Sequence, residues 1–489
     1  MLVTAGMISR TSTPEPMRIF RYLPLLLAAA CATNPVTGRR ELSFISEAQE
    51  IELGRQSMEQ ARQQTGFVDN AALTGYVSSV GMPMARTSER PDLPWEFHVM
   101  DDASINAFAA PGGFIFITRG ILAVMGSEAE LAGVLGHEIG HVTAKHTVNQ
   151  ISKQQLFTGV FIAGAIAKPD LAQGLPGQLA QAGAGLLLLS YGRDDERQSD
   201  ELGHRYSLHA GYDVREMPKT FATIQRVSER SDGGRLPGFL STHPDPGDRV
   251  AATQAWADTV SSYTGLRTDR DDFLNHLDGM VFGQDPRQGY FDNNRFLHPV
   301  LRFQFDVPAD WQGANQAVRV VLVEPNGQAQ LELAGAQEAS AGAAAQAFAS
   351  QQGIQVSATG ATRVNGLAAH AVRFAATTSQ GQALVGEAMF IEHRGEVYRF
   401  LGLTLAANAN QWMGTLQSAI RTFAPTAANQ QFRRVRELDI VTLSSASTVN
   451  RLASQSGGAA TAEELALING VQPGEMMPAG RRVKTVRYR

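Results

Sequence analysis

Five residues in the first third of the chain, His137-Glu138-Ile139-Gly140-His141, constrain its fold more than any other feature. On an α-helix, positions four apart differ by only about 40° in azimuth and lie about one turn apart. Two imidazoles at that spacing point to one side, as two ligands of a tetrahedral metal must, and Glu138 stands beside the first, close enough to work on an attacking water. The run before them, Glu128-Ala129-Glu130-Leu131-Ala132-Gly133-Val134-Leu135-Gly136, is amphipathic and rich in good helix formers. Gly136 and Gly140 cost about 1 kcal/mol each relative to Ala in a helix, so their presence predicts close packing beside the site. The pattern predicts one helix over 127–152. On such a helix His146, nine residues past His137, would lie about 180° round and face away from a metal.

Two histidines need a third protein ligand. The chain of 489 residues holds a single cysteine, Cys31, which excludes both a disulfide framework and a cysteine-rich zinc site. Hydrophobic residues at 43% and charged residues at 18% describe an ordinary globular protein. A net charge of −5 argues against a nucleic-acid partner. No run of about 18 apolar residues exists to build a polytopic membrane protein.

The N-terminus reads as an address. Residues 1–16 look like an over-long start, with Met17 the expected initiator. Arg18 and Arg21 form a positive region, Tyr22 to Leu27 an apolar one, and Ala28-Ala29-Ala30 the small residues that precede cleavage. A cysteine directly after this pattern resembles the lipobox of bacterial lipoproteins, although Ala28 stands where that pattern prefers Leu. The resemblance implies a signal peptide over 1–30 and acylation of Cys31. Ala32 rather than Asp at the next position implies outer-membrane retention. Residues 31–45 are polar and turn-rich, as expected of a tether.

Beyond the tether, Ser46-Glu47-Ala48-Gln49 is a capping box opening a helix to about Gln64. Strands are expected at 95–101 and 114–118, and a second long helix at 193–211, ending at Gly211. Leu156–Ala167 and Leu179–Leu189 are apolar patches too short to span a bilayer, either buried helices or a hairpin over a cleft. Pro286 to Asn294 reads as a linker. Period-2 runs at 298–308, 317–324, 371–376, 383–392 and 396–404, with Ala-rich helical pieces at 340–351 and 409–423, predict an α+β domain over 295–425. Residues 434–489 follow a strand–helix–helix–strand order. With Asn469-Gly470 and Gly480-Arg481-Arg482-Val483-Lys484 they resemble the LysM fold of glycan-binding modules, without the Gly-Asp-Thr-Leu expected in its first half.

His137-Glu138-Ile139-Gly140-His141, with Asn106-Ala107-Phe108-Ala109-Ala110-Pro111-Gly112-Gly113 upstream and Arg193-Asp194-Asp195-Glu196-Arg197-Gln198-Ser199-Asp200 downstream, resembles the M48 (Ste24/HtpX-like) metallopeptidases. Thr33-Asn34-Pro35-Val36-Thr37-Gly38 resembles their periplasmic lipoprotein branch. The resemblance implies a mainly helical zincin-type domain with a small sheet over 46–285, and so an α+β chain overall. It implies one zinc ion per chain, held by His137, His141 and Glu196, with Asp200 behind them four residues on from Glu196. On one helix face Glu196 can ligate while Asp200 accepts the free N–H of a ligating histidine. Ser241-Thr242-His243-Pro244-Asp245-Pro246-Gly247-Asp248-Arg249 resembles the family's Thr-His-Pro…Arg segment. His243 is then expected to donate to the oxyanion or to cap the open zinc position at rest. Arg249 is expected to orient it or to pair with the ligand helix. Tyr191 and His204 are weaker candidates.

The expected mechanism has Glu138 as general base and acid. The resemblance also implies an edge strand at Gly113, Phe114, Ile115 and Phe116 that holds an extended substrate by backbone pairing. These readings describe a periplasmic endopeptidase, anchored to the outer membrane of a Gram-negative bacterium, acting on misfolded or unassembled envelope proteins. Peptidoglycan or an outer-membrane assembly complex are further expected partners. The competing class is an assembly factor or peptidoglycan-associated scaffold with minor proteolysis.

Overall fold

The computed structural model describes residues 31–154, 190–230, 239, 242, 243, 246–378 and 381–489. The expected signal peptide and both apolar patches lie outside the described residues.

The expected capping box is present: the Ser46 hydroxyl accepts from Gln49 N, Gln49 bonds back to Ser46 N, and helix α1 runs Glu47–Gln64. Helix α2, Ala71–Arg86, starts at an Asn70 cap. A three-stranded sheet follows, from β3 (Glu96–Met100), β4 (Ala107–Ala110) and β5 (Phe114–Thr118). The strand order is β3-β5-β4, with β5 parallel to β3 and antiparallel to β4. This corrects the sequence reading of Gly113–Phe116 as an edge. The continuous Phe-Ile-Phe-Ile run is buried on both faces, as a central strand must be, and its backbone is paired on both sides. The edge on the other side of it is β4.

After α3 (Arg119–Val124) comes α4, Glu128–Thr143, all sixteen residues of which are buried. Ser127 caps it by accepting from Glu130 N, and Glu128 and Glu130 place acids in its first turn, where the helix dipole favours them. It packs against α5, Arg193–His209. The contact is backbone on backbone. A Cβ on Gly136 would lie 3.0 Å from Gly203 Cα, one on Gly140 would lie 3.1 Å from Ser199 Cα, and one on Gly203 would lie 2.7 Å from His137 N. Helices α6 (Met217–Arg230), α7 (Pro246–Asp258) and α8 (Arg270–Leu277) complete the layer.

The single helix expected over 127–152 is broken. Ala144 closes α4, Lys145 adopts φ +58°, and a new helical run begins at 146. The break coincides with contacts from outside the helix. Residues 31–45 are not a free tether: β1 (Cys31–Thr33) and β2 (Arg40–Leu42) form an antiparallel hairpin whose buried Asn34 donates to Ala144 O at 3.0 Å. Phe44 N donates to Ser152 Oγ at 3.2 Å, so the hairpin grips the chain on both sides of Lys145.

The expected linker at 286–294 is also structured. Tyr290–Asp292 (β6) pairs with Arg295–His298 (β7) across a two-residue Asn-Asn turn, with Asn293 at φ +50°. They join β8 (Phe303–Asp306) and β16 (Ala424–Pro425) in a four-stranded sheet. A seven-stranded antiparallel sheet carries β9 (Gln312–Asn315), β10 (Arg319–Val323), β11 (Ala329–Ala336), β12 (Gln355–Val364), β13 (Leu367–Thr377), β14 (Ala383–His393) and β15 (Glu396–Leu405). Along β14, Met389 and Ile391 enter one core with Leu416 and Ile420 of α10 (Ala409–Arg421), while Ala388 and Phe390 enter another with Phe348 of α9 (Ala341–Ala349).

The last unit is β17 (Arg436–Thr442), α11 (Val449–Gln455), α12 (Ala462–Asn469) and β18 (Arg482–Tyr488), with β17 and β18 antiparallel. It has no core of its own. Leu438, Leu452, Leu465 and Val486 belong to the same apolar cluster as Val77, Leu131, Leu135 and Leu277. Buried Lys484 donates to Ala123 O at 2.6 Å and to Met125 O, just ahead of α4. Gly203→Ala should cost about 1–3 kcal/mol by forcing α4 and α5 apart. Gly75→Ala, in open space on α2, should be neutral or stabilising by up to about 1 kcal/mol. Urea unfolding of both variants checks the pair.

Candidate metal centre

Four side chains from three segments converge: His137 and His141 of α4, Glu196 of α5, and His243. Their ligand atoms all lie within 4.8 Å of one another and all four residues are buried. His141 Nε2 is 3.0 Å from His137 Nε2 and 3.4 Å from Glu196 Oε1, so both α4 histidines present Nε2 to a common point. Glu196 Oε2 lies 3.6 Å from His137 Nε2, and His243 Nδ1 lies 2.9 Å from Glu196 Oε1.

Behind the cluster, Asp200 Oδ1 is 2.8 Å from His137 Nδ1, which fixes the proton of that ring on Nδ1 and leaves Nε2 as the donor to a cation. Arg249 is buried and joins the two acids of α5. It donates to Asp200 Oδ1 at 2.6 Å and Oδ2 at 2.8 Å, and its Nη1 lies 2.9 Å from Glu196 Oε2 as an ion pair without hydrogen-bond alignment. Phe221 and Phe239 cover its guanidinium, 4.0 and 5.4 Å from their ring centroids.

Burial alone would raise the Glu196 carboxyl, but the charges of His243 and Arg249 and the histidine hydrogen bonds hold it well below the usual carboxylate range. Asp200 is also lowered: burial opposes, and Arg249 and His137 prevail. Glu138 moves the other way, raised chiefly by desolvation. Both Glu138 oxygens are buried and have no hydrogen-bond partner among the described residues. An unsatisfied buried carboxylate is costly unless a cation stands near it. Two imidazoles, a carboxylate and an orphaned acid suit Zn²⁺ in donor type and fit a divalent ion.

All three expected ligands are brought together, with Glu138, Asp200, His243 and Arg249 around them. Tyr191 stacks on His141 with centroids 3.8 Å apart and bonds Thr147 Oγ1 at 2.8 Å. His204 packs on Trp256, 6.1 Å between centroids, and takes no part in the cluster. Gly113, Phe114, Ile115 and Phe116 are enclosed within the sheet. Phe239 went unnoticed in the sequence, although His243 bonds back to it one turn later (N to O 2.7 Å) and stacks on its ring at 4.5 Å.

Residues 71–257 match the model of peptidase family M48. The chain carries an M48 peptidase domain. It is 28% identical over 230 residues to the beta-barrel assembly-enhancing protease of Escherichia coli, covering 46% of this chain and 47% of that one. The putative beta-barrel assembly-enhancing protease of Vibrio cholerae is 30% identical over 244 residues, 47% of this chain and 50% of its own. The mitochondrial metalloendopeptidase OMA1 of Schizosaccharomyces pombe is 30% identical over 227 residues, 45% and 65%. The chain spans about half the length of the bacterial relatives it matches. The M48 match holds α4, α5 and Arg249 and stops short of the two C-terminal units.

In metal-free protein, Arg249→Met would leave the buried Glu196 and Asp200 carboxylates with only their histidine partners, at a cost of about 3–5 kcal/mol near neutral pH. Both acids have depressed folded values, so the stability they contribute is present above about pH 4 and is lost as pH falls through those values. The gap between wild type and variant should therefore narrow in acid. Urea unfolding at neutral pH and at about pH 3 measures it.

Proposed function

We propose that the chain is a zinc-dependent endopeptidase of the bacterial envelope that hydrolyses misfolded or unassembled proteins. The observation that carries the reading is the orphaned Glu138 carboxylate beside two histidines and Glu196 in a buried cluster. A zinc ion held by His137, His141 and Glu196 supplies Lewis acidity for attack on a peptide carbonyl. Glu138, raised by burial, is suited to take a proton from the attacking water and pass it to the leaving amine nitrogen. Arg249 and Asp200 hold the ligand helix and the His137 ring in place.

His243 Nε2 lies 3.5 Å from Glu138 Oε1 and its Nδ1 sits within the ligand cluster. In this position it caps the site at rest; swung off the cluster, the imidazole can donate to the oxyanion of the tetrahedral intermediate. The substrate strand is assigned to the outer edge of β4, which contacts α4 directly and continues the sheet beyond buried β5. Backbone pairing there reads conformation rather than sequence, which suits unfolded substrates.

Attachment through acylated Cys31 to the outer membrane belongs to the same reading. Among the described residues no helix is long and apolar enough to cross a membrane. The bacterial relatives are named for beta-barrel assembly, which supports an assembly-related setting. The two C-terminal units would recruit peptidoglycan or an assembly complex.

Glu138→Gln should retain bound zinc, measured by metal analysis, and lose casein cleavage by at least about 100-fold. Retained cleavage would sink the peptidase reading. Mass analysis of the mature N-terminus should find a lipidated Cys31, and a free cysteine there would remove the anchor.

A further inference from the structure

His146 does not face away from the metal cluster. The left-handed turn at Lys145 swings its ring onto His141, with the two Nδ1 atoms 3.0 Å apart and the rings edge to face at 75°. Its other nitrogen, Nε2, is 2.9 Å from Gln198 Oε1, and Ser199 Oγ lies 3.3 Å from its Nδ1. Only 4% of His146 is exposed. Gln198 and Ser199 lie between Glu196 and Asp200 on α5, so this imidazole ties the back of one ligand to the helix that carries another.

Proton counting gives the arrangement a direction. His141 presents Nε2 to the cluster, so as a metal ligand it keeps its proton on Nδ1. That N–H needs an acceptor, and His146 Nδ1 is the atom in reach. His146 then carries its own proton on Nε2 and donates it to Gln198 Oε1, which can only accept. Every group in the chain His141–His146–Gln198 is satisfied in this one arrangement.

We propose that His146 is the positioning residue of the metal ligand His141, as Asp200 is for His137, and that the N-terminal hairpin holds it there. The hairpin bonds supply the grip: Asn34 on Ala144 O, Glu41 on the Asn149 side chain, and Phe44 N on Ser152 Oγ. On the inner side Arg90 donates to Val142 O at 3.1 Å. The two ligand histidines therefore differ: His137 backs onto a carboxylate, His141 onto a neutral imidazole. The segment that follows Cys31 is thereby linked to His141 through the turn at 144–146 and the His146 ring.

The inference rests on the metal-site reading, and its test reads metal binding rather than cleavage. His146→Phe keeps the ring and removes the acceptor; His146→Asn restores an acceptor oxygen near the Nδ1 position. Zinc affinity of the purified chain, by chelator competition, should fall about 10–100-fold in His146→Phe and recover most of that loss in His146→Asn. The visible absorption of the Co²⁺-substituted protein should shift in His146→Phe alone. Asn34→Ala, which loosens the turn without touching the cluster, should weaken zinc binding by a smaller factor. Wild-type affinity and an unchanged Co²⁺ spectrum in His146→Phe would overturn the proposal, as would equal losses in the Phe and Asn variants. A wild type that holds zinc and leaves casein intact sinks the peptidase reading alone; one that holds no divalent cation sinks both.

Discussion

Everything at the metal centre depends on how closely α4 and α5 approach. Glu196 has a short side chain and sits on a different helix from the two histidines, so it meets them only if the helix axes are nearer than ordinary side chains allow. Gly136 and Gly140 on one helix, and Ser199 and Gly203 on the other, remove the intervening atoms. Each glycine costs helix propensity, about 1 kcal/mol relative to Ala, and that cost is offset by burying the whole of α4. The same closeness brings Asp200 onto His137 and Gln198 onto His146. Separation of the helices by even a methyl group would disturb all of these contacts together, because they share one rigid interface.

Electrostatics then decide what the pocket will hold. Glu138, Glu196 and Asp200 are all buried within one small volume. Arg249 engages two of them and reaches neither Glu138 oxygen with a hydrogen bond. His243 faces Glu138 and Glu196, so the pocket is built around positive charge at that point. The aromatic cover of Phe221 and Phe239 keeps Arg249 away from water, which strengthens its hold on α5.

The parts of this design that follow local rules were legible in the sequence. The i, i+4 spacing of His137 and His141, the Ser46 capping box and the helix-breaking Gly211 all act within one or two turns. Glu196 and Asp200 came through family resemblance, supported by their spacing. What escaped was tertiary. Lys145 gives no sign of a left-handed turn, and the Asn34 bond at that turn comes from more than a hundred residues away. The Phe114–Ile117 run could not reveal its neighbours; its burial on both faces follows from β3 and β4 flanking it. Strand β12 was missed since nine of its ten residues are exposed, leaving no apolar alternation to read.

The βααβ unit at the C-terminus completes the core behind α4, whereas residues 290–425 build cores of their own. The ends of that middle unit lie side by side: Arg433 pairs with Asp292 at 2.9 Å, and Phe282 N bonds Arg436 O at 2.8 Å. Topologically the core around α4 is therefore interrupted, with residues 290–425 looped out between its penultimate and final segments. During synthesis the wall behind the metal helix stays open until β18 has emerged, because Val483, Lys484 and Val486 are among the groups that close it. A metal centre built this way is completed by groups more than three hundred residues downstream of its histidine pair.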